Sequence, residues 1–162
     1  DDFINADFTL LGGKKEDMLY VLNLYKLHSK CKENEVILTD IPTASLVKYS
    51  INSFLALKVV FFNELFEVHK VSSSEESWED FVKMISSDIR IGSSHLQVPG
   101  HDGRKGFGGA CFPKDTSALL YFSELLQKKL SLLEKAIQIN KEIRKSIDYK
   151  DPREDSQGID FS

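Results

Sequence analysis

Cys111 ends the run Gly106-Phe107-Gly108-Gly109-Ala110-Cys111, and Phe112-Pro113-Lys114-Asp115 follows it. Glycines let a backbone come close to a ligand, and proline is favoured in the first turn of a helix. The pattern predicts that Cys111 sits immediately before a helix. There the first amide N–H groups and the helix dipole favour a thiolate. A thiolate so placed could attack a carbonyl carbon. Asp115 comes four residues later, one helical turn on and roughly on the same face, where its carboxylate could orient or activate a water. The plainer alternative is a small buried cysteine after a tight turn, a common place for free cysteine. The run is not a dinucleotide or phosphate fingerprint. The position three beyond Gly108 is Cys111 and not glycine, and no Gly-Lys-Ser/Thr occurs. A nicotinamide cofactor is therefore not expected on this run alone.

A second candidate is the pair Lys48 and Asn52 in an otherwise apolar stretch. Spaced i, i+4, they leave one face of a helix together, and Asn63 returns near the same azimuth three turns later. Polar groups among apolar ones are costly unless paired. An ammonium and an amide on one face could stabilise negative charge developing on a substrate oxygen. Alternatively, Lys48 extends to solvent and Asn52 satisfies a backbone group. A third candidate is Arg90 within Asp88-Ile89-Arg90-Ile91-Gly92, a guanidinium that could clamp phosphate or sugar hydroxyls, although most loop arginines have no such role. His28, His69, His95 and His101 have no metal-ligand spacing, so no metal site is expected and packing roles are. Trp78 is expected in a core.

The elements that must position these residues follow from pattern. Residues 8–11, 18–27 and 35–39 read as strand, helix and strand. So short a βαβ-like piece cannot cover both faces of its own sheet. Asp40-Ile41-Pro42-Thr43 is a helix start, and a long helix is expected to about residue 71. Its apolar residues spread around most of the cylinder, which predicts burial on several sides, in a bundle or a subunit interface. A short helix is expected over 78–85. Five of the nine glycines fall between 100 and 109, which predicts a loop. Helices are then expected over 113–127 and 130–147. The fold class is mainly α, a helical bundle on one long central helix, with a short βαβ-like N-terminal remnant.

Composition narrows the function. The chain has 162 residues, 41% of them hydrophobic, and a net charge of −4. That supports a packed core, and the scattered lysines and arginines argue against nucleic acid. Lys48, Asn52 and Lys58 interrupt the longest apolar stretch, so no membrane association is expected. Two cysteines without a signal-like N-terminus point to a reducing, cytoplasmic setting.

Four blocks, in order, resemble the UDP-glucose/GDP-mannose dehydrogenase family: residues 44–58 (ASLVKYSINSFLALK), 63–65 (NEL), 88–92 (DIRIG) and 106–115 (GFGGACFPKD). The last is more similar to the branch acting on UDP-glucose. The similarity runs over about residues 1–148. It implies that residues 1–40 end an NAD-binding Rossmann domain, 41–150 form the central dimerisation domain with the catalytic cysteine, and 151–162 are a polar tail or linker. It implies oxidation of UDP-glucose to UDP-glucuronate through a thiohemiacetal and thioester on Cys111. Lys48 and Asn52 would stabilise the oxyanion, and Asp115 would assist proton transfer or hydrolysis. Arg90 would reach the substrate of the partner subunit, and the backbone at Phe107 and Gly108 would line the sugar pocket. A homodimer through the long helix is expected. NAD would be bound mainly by residues outside this chain, so these 162 residues alone are expected to be inactive. Ser45 departs from a usual glutamate, and residues 96–104 form a longer segment than in compact members. Three rival readings are a non-catalytic dimerisation module of the same fold, a dehydrogenase for another nucleotide sugar, and an unrelated cysteine hydrolase, which would lack an evident histidine partner.

Overall fold

The structure, a computed structural model, describes residues 4–145, 152–159 and 161. It divides into two compact units, Asp1–Lys48 and Tyr49–Ser162. The chain is mainly helical with one small parallel sheet.

In the first unit, β1 (Phe8–Gly12) pairs in parallel with β2 (Glu35–Thr39), and α1 (Lys15–His28) connects them. The register runs from Phe8 opposite Glu35 to Gly12 opposite Thr39. Asn34 steadies the approach to β2, accepting from Thr9 Oγ1 at 3.0 Å and donating to the Ala6 carbonyl at 2.9 Å. A Cβ on Gly12 would overlap the Ala44 methyl, so glycine is needed where β1 ends against the start of α2. Phe8, Ile37, Leu19 and Leu27 remain exposed, as expected of two strands that cannot bury both faces.

Helix α2 (Ile41–Val71) begins in the first unit and continues through the second. Asp40 caps it: Oδ1 accepts the Thr43 amide at 2.8 Å, and the Thr43 hydroxyl donates to Oδ2. These hydrogen bonds hold the Asp40 carboxyl below its ordinary pKa, the Thr43 amide most of all. By length and composition α2 is apolar enough to cross a membrane, even with Lys48, Asn52 and Lys58 in it. In this chain it instead packs one side into two cores.

The second unit adds α3 (Trp78–Ser86), α4 (Phe112–Leu125), α5 (Ser131–Arg144) and the short α6 (Pro152–Ser156). Ser77 caps α3 by accepting the Asp80 amide at 3.1 Å. The expected extension of α5 to residue 147 reaches residues outside those described. One core joins Phe62 of α2 with Trp78 and Val82 of α3 and with Leu96 and Val98. Trp78 is its hub, edge-on to Phe62 and Phe66 at 6.4 and 5.1 Å between ring centroids, with His69 at 5.5 Å. The other core joins Ala56 and Val60 of α2, Ala136 of α5, and Phe107. The expectation that α2 is buried on several sides is not met within the chain: Ile51, Phe54, Phe61 and Val68 are exposed.

Truncating Phe62 removes the buried ring that α2 contributes to the Trp78 core. Phe62→Ala is expected to destabilise the protein by about 3–5 kcal/mol, read from denaturant unfolding followed by Trp78 fluorescence.

Candidate active site

Cys111 is the N-cap residue of α4 and is exposed. Its carbonyl accepts the Asp115 amide at 2.8 Å, the first bond of the helix. Pro113 lies in the first turn, where a missing N–H costs nothing. Thr116 ties the turn down, its hydroxyl donating to the Phe112 carbonyl at 2.7 Å.

One turn on from the thiol, Asp115 is fully buried. Its Oδ2 accepts from Asn52 Nδ2 at 2.5 Å, joining α4 to α2, and its Oδ1 accepts from Lys114 Nζ. The hydrogen bond to Asp115 is the main cause of the raised Lys114 pKa. Asp115 and Asn52 are thus brought together, and the Cys111 backbone begins the same turn. Lys48 lies on the first-unit stretch of α2, exposed, one turn before Asn52. Arg90 is placed otherwise. Its exposed guanidinium is held by Asp88, with Nη2 to Oδ2 at 2.6 Å, beside Gly92 at φ +68°. That pairing raises the Arg90 pKa and lowers that of Asp88.

The glycine run is anchored from several directions. The Gly106 amide donates to Asn63 Oδ1 at 3.0 Å. Asn140 clasps Phe107 as a neighbouring strand would, accepting its amide at 2.7 Å and donating to its carbonyl at 2.9 Å. Arg144 Nη2 donates to the Gly106 carbonyl at 3.1 Å, and the Gly109 amide donates to Glu154 Oε1 at 2.7 Å. Gly106 has φ +72°, and a Cβ on it would strike Asn140. A Cβ on Gly108 would overlap the Glu154 carboxylate and the Arg144 guanidinium. Phe107 is buried and Gly108 half-buried. A cleft of about 370 Å³ opens beside the run, lined among others by Phe107, Lys114, Asn140 and Lys141.

Asn140, Arg144 and Glu154 were absent from the sequence candidates. The first two carried a signal: Leu133, Ala136, Asn140 and Arg144 form one buried stripe of α5, so two polar residues lie where an apolar face continues. Glu154 carried none. It lies in the segment expected as a polar tail or linker, yet its side chain is buried. His95 was expected in a packing role, and its ring lies 5.4 Å from that of Phe112. Desolvation, with smaller contributions from Lys58 and His101, lowers its pKa.

Residues 42–142 match the central domain of the UDP-glucose/GDP-mannose dehydrogenase family. A UDP-glucose 6-dehydrogenase of Rickettsia bellii is 33% identical over 144 residues, which is 88% of this chain and 31% of that protein. One from Haloferax volcanii is 31% identical over 142 residues, 86% of this chain and 31% of that protein. The structure of a UDP-glucose dehydrogenase from the hyperthermophilic archaeon Pyrobaculum islandicum is similar with a TM-score of 0.70 and 29% identity. That similarity covers 87% of this chain and 30% of that one. The chain therefore spans about a third of the length of these relatives.

The double clasp on Phe107 gives a measurable cost. Asn140→Ala leaves a buried N–H and a buried carbonyl without their partner. It is expected to lower the unfolding free energy by about 2–5 kcal/mol, read from a denaturant titration.

Proposed function

The chain belongs to the UDP-glucose/GDP-mannose dehydrogenase family, and we propose that it carries the covalent half of the active site of a UDP-glucose 6-dehydrogenase. The observation that supports this most is the Asn52–Asp115 hydrogen bond, which sets a buried carboxylate one turn from an exposed N-cap cysteine. The product would be UDP-glucuronate.

Two NAD molecules, bound in turn, would each accept one of the two hydrides that take an alcohol to the acid level. The first unit supplies a Gly12-Gly13 turn after β1, but no Gly-x-Gly-x-x-Gly. The residues present do not make a dinucleotide site, and no step is assigned to them through NAD. The roles of the chain's own residues follow from their chemistry. Cys111 Sγ adds to the C6 aldehyde carbon, forming a C–S bond and a thiohemiacetal, which keeps the aldehyde from escaping. After the second oxidation the same bond belongs to a thioester. Water attacks the carbonyl carbon, the C–S bond breaks, and carboxylic acid and thiolate separate, the acid then losing its proton to solvent. Asp115, one turn on, would take the proton from that water.

An oxyanion forms at each tetrahedral stage. The Asn52 side-chain amide has two N–H groups, and one is on Asp115. The second, with the Lys48 ammonium one turn earlier on α2, would stabilise that charge. The backbone at Phe107 and Gly108 would line the sugar pocket, and Arg90 would reach the substrate of a partner subunit. The exposed guanidinium of Arg90 suits that role.

Pairing through α2 accords with its exposed residues. Phe54, Phe61 and Val68 recur every seven positions and are 57–66% exposed, an apolar stripe suited to a second copy of the helix in a helical bundle. The domain division at residues 40 and 150, the cytoplasmic setting and the absence of nucleic-acid or membrane partners belong to the same reading.

Two measurements test it. Alkylation mapped by peptide should find Cys111 reacting at least about tenfold faster than Cys31, each rate divided by that of the same cysteine in unfolded protein. Equal ratios would make the glycine loop merely structural. The 162 residues alone should give no NAD reduction with UDP-glucose; joined to the NAD-binding region they should, and Cys111→Ala should then remove turnover. Reduction by the isolated chain would refute the assignment of the cofactor site elsewhere.

A further inference from the structure

Glu154 lies 45 residues beyond Gly109, in a segment whose composition suggests only a solvated tail, yet it is 1% exposed. Three parts of the chain meet there. Asp102 and Arg104 come from the approach to the glycine run, Arg144 from the last turn of α5, and Glu154 from α6. Arg104 donates to both Glu154 oxygens at 3.3 Å and to Asp102 Oδ2 at 3.2 Å. Arg144 pairs with the same two carboxylates, at 3.1 Å to Asp102 and 3.5 Å to Glu154. Two guanidiniums and two carboxylates thus balance, Arg144 and Glu154 buried and Asp102 at the surface. Phe161, beyond α6, lies with its ring 5.5 Å from the Arg144 guanidinium carbon.

The cluster does more than close the segment onto the domain. Glu154 also takes the amide of Gly109, two residues before Cys111, and its carboxylate with Arg144 fills the space a Cβ on Gly108 would need. Gly109 is at φ +72°, and Gly108 precedes it, so this backbone has wide freedom of its own. The direction of the thiol relative to the first amides of α4 depends on that backbone. We propose that Glu154 is a positioning residue for Cys111, acting through the Gly109 amide and the Arg144 guanidinium to hold the loop that delivers the thiol to the N-cap of α4. The proposal rests on the reading of Cys111 as the nucleophile. A carboxylate suits the position because one group meets an amide and two guanidiniums at once.

The test compares the intact protein with Glu154→Ala, Glu154→Gln and Val82→Ala. The last weakens the distant Trp78 core and controls for stability. Amide hydrogen exchange at Gly109 and the pH profile of Cys111 alkylation, with Cys31 as internal reference, are read for each. Glu154→Ala should speed Gly109 exchange at least about tenfold and move the Cys111 profile to higher pH. Glu154→Gln keeps an oxygen for the amide and should restore part of both effects, and it carries the comparison if Glu154→Ala does not fold. Val82→Ala should change neither. A wild-type Cys111 as unreactive as Cys31 defeats the reading of the nucleophile, and this proposal with it. A reactive wild-type Cys111 whose profile Glu154→Ala and Glu154→Gln leave in place, whatever they do to melting temperature, overturns this proposal alone.

Discussion

A buried backbone outside helix or sheet must find its hydrogen-bond partners among side chains, and residues 106–109 are where this chain meets that demand. Among the described residues no strand runs beside the glycine run, so amide and acid side chains take a strand's place. Asn140 presents an acceptor and a donor at the spacing of a peptide group and satisfies both polar atoms of Phe107. Asn63 does half of that for Gly106, and its own Nδ2 turns back to the Val59 carbonyl at 2.8 Å. The glycines follow from this arrangement. Partners that must come within hydrogen-bond distance of the backbone leave no room for side chains on the same residues. The loop is thus less a flexible hinge than a backbone segment whose path is dictated by α2, α5 and α6.

The charged partners obey a different balance. Burying a lone carboxylate or guanidinium costs several kcal/mol, and only close pairing offsets it. Burial alone would raise the Asp102 pKa, yet the Arg104 amide and the Arg144 and Arg104 guanidiniums together leave it below the ordinary value. Desolvation dominates at Arg144, whose pKa is lowered. Neutrality of the four charges therefore matters more than any single pair. Loss of Glu154 would leave the buried Arg144 guanidinium short of its buried partner, a cost of about 3–5 kcal/mol.

Much of this was legible in the sequence, and the reason differs by element. The β1–α1–β2 piece and the capped start of α2 are local: a short apolar run, Gly12-Gly13, and the Asp40-to-Thr43 cap all act within a few residues. The N-cap placement of Cys111 is local too, because Pro113 dictates where α4 begins. Arg144 and Glu154 meet across the fold, and no local pattern reports which polar residue will face which loop. Asn140 stood between the two cases. A polar residue in the buried stripe of α5 signals a buried partner but does not name Phe107. The expected cover of α2 is only partly supplied by this chain, for a similar reason. Counting apolar residues around a helix shows how much surface needs cover, not whether the same chain supplies it.

Helix α2 also explains how the loop and the first turn of α4 are kept in register. Asn52 and Asn63 are eleven residues apart, three turns, so they share one face about 16 Å apart along the axis. Asn63 holds Gly106 and Asn52 holds Asp115. The chain between them therefore runs antiparallel to α2, fastened at each end by an asparagine, with Cys111 carried between the fastenings. Ala56 and Val60, two of the buried residues between the two asparagines, are small or β-branched and pack in the core that contains Phe107. Small side chains there let the loop lie close against the helix. Two polar residues that looked costly in so apolar a helix are thus what fixes the span over which the thiol is presented. A helix is a good ruler for that purpose, because its rise per residue is set by the backbone and not by the loop it measures.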